Sequence, residues 1–217
     1  MTKPLVAVID YGMGNRRSVE KALTHVGARA ELTSDLERLA VADAIILPGV
    51  GAFPRGMKSL QDRGLDVLLR SYAASGKPLL GICLGMQLLF DSSLEMGSET
   101  PGLGLIAGVI RPLRAGGLPV PHIGWNDVRL ERRSPLTAGL PETGAPFYHV
   151  HSFIAEPTDE SVIVGTAKYG ERFATIIRHG NIYGTQFHPE KSSRDGLSLL
   201  RAFAALATGA AAGRLAP

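Results

Sequence analysis

The chain reads Leu79-Leu-Gly-Ile-Cys83-Leu-Gly-Met-Gln-Leu-Leu89 in its first half. The apolar run Leu79–Ile82 predicts a buried strand, and the residues from Leu84 onward predict a helix that follows without a loop. Cys83 stands at the turn between them, with a glycine two positions before it and another two positions after it. This is the pattern of a nucleophile elbow, with sulfur in the position that many hydrolases give to serine.

The position of Cys83 permits two interpretations. A helix that begins beneath the sulfur favours the thiolate and offers free N–H groups to an oxyanion. A lone cysteine is, however, often a small buried core residue without reactivity. The stretch by itself therefore leaves a catalytic and a structural cysteine open.

Short apolar runs alternate with helical segments over the whole first half of the chain. The segments are buried strands at Leu5–Ile9 and Ala44–Leu47, and helices over residues 15–26, 57–74 and 84–90. Gly64 lies inside the second of these helices and weakens its pattern. Strands that alternate with helices are typical of a parallel sheet that is covered on both faces.

The second half has short β-prone runs separated by turn residues, which predicts antiparallel hairpins. These runs are residues 109–111, 127–130, 147–154, 162–166, 174–178 and 182–187, and a last helix is predicted over residues 195–207. We therefore expect an α/β fold: a three-layer domain with a twisted, mixed, mainly parallel sheet between helices, plus an antiparallel extension. Residues 1–207 are expected to form this single domain, and the Ala/Gly-rich residues 208–217 a flexible tail.

The composition argues against several classes of protein. Of 217 residues, 45% are hydrophobic and 20% are charged, which is typical of a globular chain. No apolar run is long enough to span a membrane, and no signal-peptide pattern is found at the N-terminus. A single cysteine excludes an internal disulfide, and a net charge of +3 with scattered basic residues does not indicate nucleic-acid binding. We expect a cytoplasmic protein.

A second motif offers the base that a thiolate needs. It reads Gly184-Thr-Gln-Phe-His188-Pro-Glu190-Lys-Ser192 and follows a β-prone run, so His188 is expected at a strand end. Glu190 could orient the imidazole as the third member of a catalytic triad does. A surface histidine beside a loop proline is the alternative, and the long separation from Cys83 leaves their contact open.

Together, the Cys83 motif and the His188 motif resemble those of the class I (triad) glutamine amidotransferases. Four further segments are similar to the subgroup of that family that serves imidazole glycerol phosphate synthase in histidine biosynthesis. They are Ile9-Asp-Tyr-Gly-Met-Gly-Asn15, Leu47-Pro-Gly-Val-Gly-Ala-Phe53, Pro121-His-Ile-Gly-Trp-Asn126 and Tyr148-His-Val-His-Ser-Phe153. The resemblance covers nearly the whole chain and leaves out only its C-terminal end.

The resemblance implies hydrolysis of glutamine to glutamate and ammonia without a cofactor. Cys83 would be the nucleophile, His188 the general base and acid, and Glu190 the carboxylate that orients the imidazole. Oxyanion donors would be the backbone N–H of Leu84 and the segment Gly49-Val50-Gly51, whose glycines let a peptide unit rotate. In this family that segment is held in an unproductive orientation until the partner enzyme binds its own ligand.

The resemblance also implies a substrate site and a partner. Glutamine would be bound by Gln87, by Glu95 and by backbone amides around His151, Ser152 and Phe153. The partner would be a (β/α)8-barrel cyclase that receives the ammonia within a heterodimer and makes imidazole glycerol phosphate and 5-aminoimidazole-4-carboxamide ribonucleotide. The residues expected to face this partner are Asn15, Trp125, Asn126, Tyr148 and Lys191.

Three alternatives stay open beside this interpretation. The chain could be a glutaminase domain for another ammonia acceptor, or a Cys–His hydrolase of similar topology. Gly12-Met-Gly14 could open a phosphate or dinucleotide site, but the third glycine of that fingerprint is absent.

Two positions depart from the family pattern. Arg16 stands where relatives usually carry an apolar residue, which puts the packing of its helix in doubt. His149 replaces a usual aromatic residue and forms a His-x-His pair with His151. Because no third ligand with suitable spacing accompanies this pair, we expect no metal site.

Overall fold

The structure, a computed structural model, describes residues 3–213. Five parallel strands form its centre: β1 Leu5–Ile9, β2 Arg29–Thr33, β3 Ala44–Leu47, β4 Leu79–Ile82 and, from the far end of the chain, β13 Ile182–Thr185. Their order in the sheet is β2-β1-β3-β4-β13. Gly184 lies opposite Gly81 in the pairing of β13 with β4, so the segments that follow these two strands emerge side by side.

Helices cover both faces of these strands. They are α1 Arg16–His25, α2 Leu36–Val41, α3 Phe53–Gln61, α4 Leu65–Ala74, α5 Leu84–Gln87 and α6 Ser193–Gly213. Because side chains alternate along a strand, Leu5, Ala7 and Ile9 of β1 enter one core while Val6 and Val8 enter the other. The first core also contains residues of α3, α4 and α5, and the second contains residues of α1 and α6.

A mainly antiparallel extension continues the sheet. Its strands are β5 Phe90–Ser93, β6 Thr100–Pro101, β7 Ile106–Pro112, β8 His122–Leu130, β9 Ala145–His151, β10 Phe153–Pro157, β11 Ile163–Tyr169 and β12 Glu171–His179. From β13 the main path runs β12-β10-β7-β5-β6, and β11, β8 and β9 branch from β12. The expected three-layer α/β architecture with a mixed sheet and an antiparallel extension is confirmed.

Several predicted elements differ in extent from the structure. The helix predicted over residues 57–74 is two helices, because Gly64 adopts a left-handed conformation with φ of 67° and separates α3 from α4. The helix predicted over residues 84–90 ends at Gln87, and β5 already begins at Phe90. The β-prone run 147–154 is divided at Ser152 into β9 and β10.

The C-terminal helix is longer than predicted. It continues to Gly213, beyond the expected end at Ala207 and into the segment expected to be a flexible tail. Residues 214–217 of that tail lie outside the described residues, and the division of the chain at residue 207 stays a prediction. Within residues 3–213, no helix is both long enough and apolar enough to cross a membrane.

Arg16, which departs from the family pattern, does not prevent α1 from packing. Its guanidinium forms an ion pair with Asp10 at 2.9 Å, and both side chains are only partly exposed. The helix buries Val19 and Leu23 against the sheet instead. The doubt about this helix is therefore resolved by a local charge partner.

Candidate active site

Cys83 occupies a strained turn between β4 and α5. Its backbone has φ of 54° and ψ of −113°, a conformation that residues with a Cβ rarely adopt. The flanking glycines permit this turn, since a Cβ at Gly85 would lie 1.8 Å from the carbonyl oxygen of Leu47 and one at Gly81 would lie 2.5 Å from that of Gly85. The predicted elbow is therefore present.

The sulfur of Cys83 is buried among polar atoms. It lies 3.7 Å from the carbonyl oxygen of Val150 and 3.8 Å from Nε2 of Gln186. The backbone N–H of Cys83 donates to the carbonyl oxygen of Thr185 at 2.7 Å, which ties the end of β4 to the end of β13. Cys83 thus borders the second apolar core, but its sulfur also faces two polar groups.

His188 and Glu190 form an ion pair beside the elbow. His188 directly precedes a short 3-10 helix, Pro189–Lys191, and its Nδ1 lies 2.9 Å from Oε1 of Glu190. Both side chains are buried, with exposed fractions of 2% and 0%. The amide of Asn15 also donates to the same carboxylate oxygen at 3.1 Å, so the carboxylate is held from two sides.

The charge state of His188 depends on its two neighbours. Burial lowers the pKa of the imidazole, but the interactions of the ring with Cys83 and Glu190 outweigh burial and raise the pKa to about 10. The imidazolium form of His188 is therefore favoured at neutral pH. The structure thus brings together the three residues predicted as a triad.

A cavity of about 220 Å³ opens over the sulfur. Its walls come from the elbow, the segment after β3, and strands β9 and β10, and they consist of Val50, Gly51, Cys83, Leu84, Gln87, Glu95, Pro121, Val150, His151, Ser152 and Phe153. All five residues predicted to bind substrate are among them. The cavity has room for a small amino acid next to the thiol.

Two of the predicted substrate-binding side chains already have partners. Gln87 donates from Nε2 to the carbonyl oxygen of Phe153 at 3.2 Å and to Oε1 of Gln186 at 3.1 Å. Glu95 accepts from the backbone N–H of Phe53 through Oε2 at 2.6 Å. Gln87 is thus held in place as part of the wall, and Glu95 supplies negative charge at the cavity edge.

In the segment predicted to bind the oxyanion, the Gly49 carbonyl oxygen faces the expected donor instead of leaving it free. The backbone N–H of Leu84 donates to the carbonyl oxygen of Gly49 at 3.3 Å, so one expected donor is occupied by the chain itself. Gly51 has φ of 123°, which requires glycine. The hydroxyl of Tyr11 donates to the carbonyl oxygen of Pro48 at 2.8 Å and so fixes the neighbouring peptide.

The residues predicted to face a partner differ in exposure and in contacts. Trp125 is 53% exposed and lies edge-on to Tyr148 with ring centres 6.3 Å apart. Lys191 is exposed, whereas the amide of Asn126 is used within the chain, on the carbonyl oxygen of Lys168 at 3.0 Å. Asn15, as described above, contacts Glu190.

The His149–His151 pair does not resemble a metal site. Nδ1 of His149 faces the carbonyl oxygen of Phe147 at 3.0 Å, and Nε2 faces the hydroxyl of Thr175 at 2.8 Å. Burial and then the neighbouring His151 hold the pKa of His149 well below its usual range. In the part of the chain from residue 3 to 213, no group of three or more His, Cys, Asp or Glu is placed to hold a metal ion.

Three buried polar residues near the site were not singled out from the sequence: Tyr11, His122 and Gln186. Each lies within a quoted motif, close to an apolar run, and each is almost fully buried. A polar side chain in such a run requires a hydrogen-bond partner. That requirement could have marked these residues as structurally important, but it does not identify their hydrogen-bond partners.

Comparison with known proteins agrees with this geometry. The family model described as "Glutamine amidotransferase class-I" matches residues 7–206. A protein of Moorella thermoacetica titled "Imidazole glycerol phosphate synthase subunit HisH" is 50% identical over 93% of this chain and 94% of its own length. A Streptococcus gordonii protein with the same title is 49% identical over 92% of this chain and 95% of its own length.

A solved structure titled "Structure of PurLQS from Thermotoga maritima" has a TM-score of 0.73 at 22% identity and covers 93% of this chain and 98% of that chain. This likeness concerns the fold alone. The family match and the sequence relatives confirm the resemblance that the cysteine and histidine motifs indicated. The chain belongs to the class-I glutamine amidotransferase family.

Proposed function

We propose that this chain is the glutaminase subunit of an imidazole glycerol phosphate synthase and hydrolyses L-glutamine to L-glutamate and ammonia. The observation that carries the proposal is the strained Cys83 elbow, which lines a small cavity and lies beside the buried His188–Glu190 pair. The names of the two bacterial relatives point to this subunit rather than to another glutaminase. The cytoplasmic location expected from the sequence stays a prediction.

The chemistry follows from the charges of the three side chains. The Cys83 thiolate attacks the side-chain amide carbon of glutamine, and a tetrahedral oxyanion forms. His188 in its imidazolium form gives its proton to the leaving nitrogen, which departs as ammonia. The neutral imidazole then takes a proton from water, which hydrolyses the γ-glutamyl thioester and releases glutamate. Glu190 holds the ring through Nδ1 in both halves of the reaction.

Free glutamine has an ammonium group and a carboxylate besides the reacting amide. Glu95 at the cavity edge provides a negative charge for the ammonium group. Ser152 and Phe153 also line the cavity, at the break between β9 and β10, where backbone N–H groups can receive the carboxylate. Gln87 stiffens this wall through its bond to the Phe153 carbonyl.

Ammonia would pass to a (β/α)8-barrel cyclase, which uses it to make imidazole glycerol phosphate and 5-aminoimidazole-4-carboxamide ribonucleotide. An apolar surface supports a docked partner: Leu118, Val120, Ile123 and Trp125 are each about half exposed, at 46%, 50%, 59% and 53%. Contiguous exposed apolar side chains mark interaction sites in many proteins. Pro121, within this surface, lines the cavity, so the surface adjoins the mouth of the site.

The test is glutamate release from glutamine by the purified chain, alone and with the cyclase and its nucleotide ligand. Low release alone and strong stimulation by the liganded cyclase would support both the chemistry and the partner. Release that does not respond to the cyclase would keep the glutaminase and assign another ammonia acceptor. No release under either condition would refute the proposal and favour a Cys–His hydrolase of similar topology.

Lys191 is expected to contribute to docking without taking part in the chemistry. Lys191→Ala should lower cyclase-stimulated turnover by up to about fivefold at subsaturating cyclase, because an exposed ion pair across an interface is worth at most about 1 kcal/mol. Basal glutamate release should stay unchanged. Lys77→Ala is the control, since Lys77 precedes β4 and so lies at the opposite end of that strand from Cys83. Unchanged stimulation in the Lys191 variant would contradict this docking role.

Asn15 is expected to stabilise the carboxylate that orients His188. Asn15→Ala removes the amide that donates to Glu190 at 3.1 Å and should lower kcat of the isolated chain about tenfold, with KM nearly unchanged, because a hydrogen bond to a charged group contributes about 1.5–3 kcal/mol. Ser18→Ala removes only the bond from Ser18 to Oδ1 of Asn15 and should have a smaller effect. Steady-state kinetics without a partner decides between these outcomes, and equal kcat values in the parent and the Asn15 variant would exclude this role.

A further inference from the structure

A series of hydrogen-bonded polar groups, with two buried imidazoles at its centre, leads from β8 to the wall of the Cys83 cavity. Nδ2 of Asn126 lies 3.0 Å from the carbonyl oxygen of Lys168 and 3.3 Å from Nε2 of His122. Nδ1 of His122 lies 3.0 Å from Nε2 of His151, and Nδ1 of His151 lies 3.0 Å from the carbonyl oxygen of Phe153. The pairing of β8 with β9 places His122 directly opposite His151.

The two ends of this chain determine the direction of every hydrogen bond. The Lys168 carbonyl only accepts, so the Asn126 amide nitrogen faces it and also donates to Nε2 of His122. A neutral His122 then carries its proton on Nδ1 and donates it to Nε2 of His151. His151 in turn carries its proton on Nδ1 and donates to the Phe153 carbonyl. Both imidazoles are therefore neutral Nδ1–H tautomers.

The surroundings of the two rings favour the neutral form. Burial lowers the pKa of His122. Burial, and then repulsion from His122, lower the pKa of His151 to about 3. His122 also stacks on Tyr169 with ring centres 4.1 Å apart, which fixes the plane of its imidazole.

This series of hydrogen bonds ends at side chains that contact the thiol of Cys83. The Phe153 carbonyl that receives the His151 proton also accepts from Nε2 of Gln87 at 3.2 Å. Gln87 is bonded to Gln186, whose own amide lies 3.8 Å from the sulfur of Cys83. Asn126, at the other end, lies next to the exposed Trp125 on the apolar surface near the cavity mouth.

We propose that His122 and His151 are positioning residues that fix the Phe153 segment of the glutamine site from strand β8. The inference rests on the proposed function, because its role is to hold the backbone that receives the glutamine carboxylate. The carboxylate is bound equally in the ground state and in the transition state. Loosening its backbone cradle therefore raises KM and leaves kcat nearly unchanged.

The kinetic test uses three variants, measured with the liganded cyclase present. His122→Phe keeps the ring stack but removes both hydrogen bonds, and should raise KM for glutamine roughly five- to tenfold with kcat within about twofold. His122→Asn places an amide donor at the position of Nδ1 and should recover most of the loss. His149→Phe is the control for a ring replacement in the same cluster: His149 stacks on His122 with ring centres 5.0 Å apart, but its hydrogen bonds go to Phe147 and Thr175, so KM should change much less than in His122→Phe.

A structural measurement tests the same inference independently of turnover. Imidazole ¹⁵N NMR at neutral pH should assign both His122 and His151 as Nδ1–H tautomers, and His122→Phe should shift the His151 nitrogens. An Nε2–H tautomer at either residue, or an unchanged KM in His122→Phe beside an active parent chain, would overturn the inference alone. An inactive parent chain would instead refute the proposed function, and the positioning role with it.

Discussion

Cys83→Gly is expected to abolish glutamate release and, at the same time, to stabilise the fold. Without the sulfur no thioester can form, and removal of a triad nucleophile costs on the order of four or more orders of magnitude in kcat. The stability gain has a different origin. A residue with a Cβ at φ of 54° and ψ of −113° stores roughly 1–3 kcal/mol of backbone strain, which glycine does not have.

Comparison of two substitutions isolates that strain. Cys83→Ala keeps the Cβ and should be just as inactive, but its free energy of unfolding should be lower than that of Cys83→Gly by about 1 kcal/mol or more. This is the reverse of the usual order, in which glycine within a helix is less stable than alanine by about 0.5–1 kcal/mol. Val67, exposed on α4, provides the control pair Val67→Ala and Val67→Gly, which should follow the usual order.

Denaturant unfolding of the four variants measures the differences, and a glutaminase assay accompanies it. If the free energy of unfolding of Cys83→Gly were lower than that of Cys83→Ala, the turn would not be strained. Glutamate release within tenfold of the parent in either Cys83 variant would remove Cys83 from the reaction. Both results are independent of the partner, so they test the elbow alone.

The correctly predicted parts of the fold are those whose local sequence pattern is compatible with one type of secondary structure. β1, β3 and β4 have their predicted bounds because they are buried on both faces and appear in the sequence as uninterrupted apolar runs. β2 was missed because it is an edge strand with mostly partly exposed residues, and its polar side chains give no clear period. β5 contains Asp91, Ser92 and Ser93 and depends on pairing with β6 and β7, which no local pattern reveals.

The site divides in the same way. The Cys83 and His188 motifs identify chemical groups, and the pairing of β13 with β4 then brings the two motifs together. Residue types do not predict the orientation of a peptide between two glycines, because glycine adopts either orientation at little cost. The bond from Leu84 to Gly49 and the chain through His122 and His151 depend on long-range contacts, so they could be found only in the structure.

The orientation of the Gly49–Val50 peptide leads to the second large expected effect, a stimulation of kcat by about 100- to 1000-fold or more when the liganded cyclase docks. The N–H of Leu84 is occupied by the Gly49 carbonyl in the isolated chain. Rotation of this peptide would free that donor and turn the Val50 N–H toward the cavity. Removing a single oxyanion donor lowers kcat about 100- to 1000-fold. A rotation that restores the donors should therefore raise kcat by at least the same factor.

The stimulation should depend on the oxyanion and not on access to the thiol. Alkylation of Cys83 by iodoacetamide forms no tetrahedral oxyanion, so its rate should change far less on docking than glutamate release does. Val50→Pro removes the N–H that rotation would deliver and should lose most of the stimulation, whereas Val50→Ala keeps the N–H and should retain it. Val50 is 40% exposed, so its side chain is not required by the core, and both replacements should leave the fold intact.

These measurements separate two explanations of a silent isolated chain. If docking accelerates alkylation and glutamate release equally, the partner opens access to Cys83, and rotation of the Gly49–Val50 peptide is not the controlled step. If Val50→Pro at saturating cyclase is stimulated as strongly as Val50→Ala, the Val50 N–H is not the second donor. Strong stimulation of release alone, lost only in the proline variant, would mean that the chain blocks its own oxyanion site with one carbonyl until a partner rotates it away.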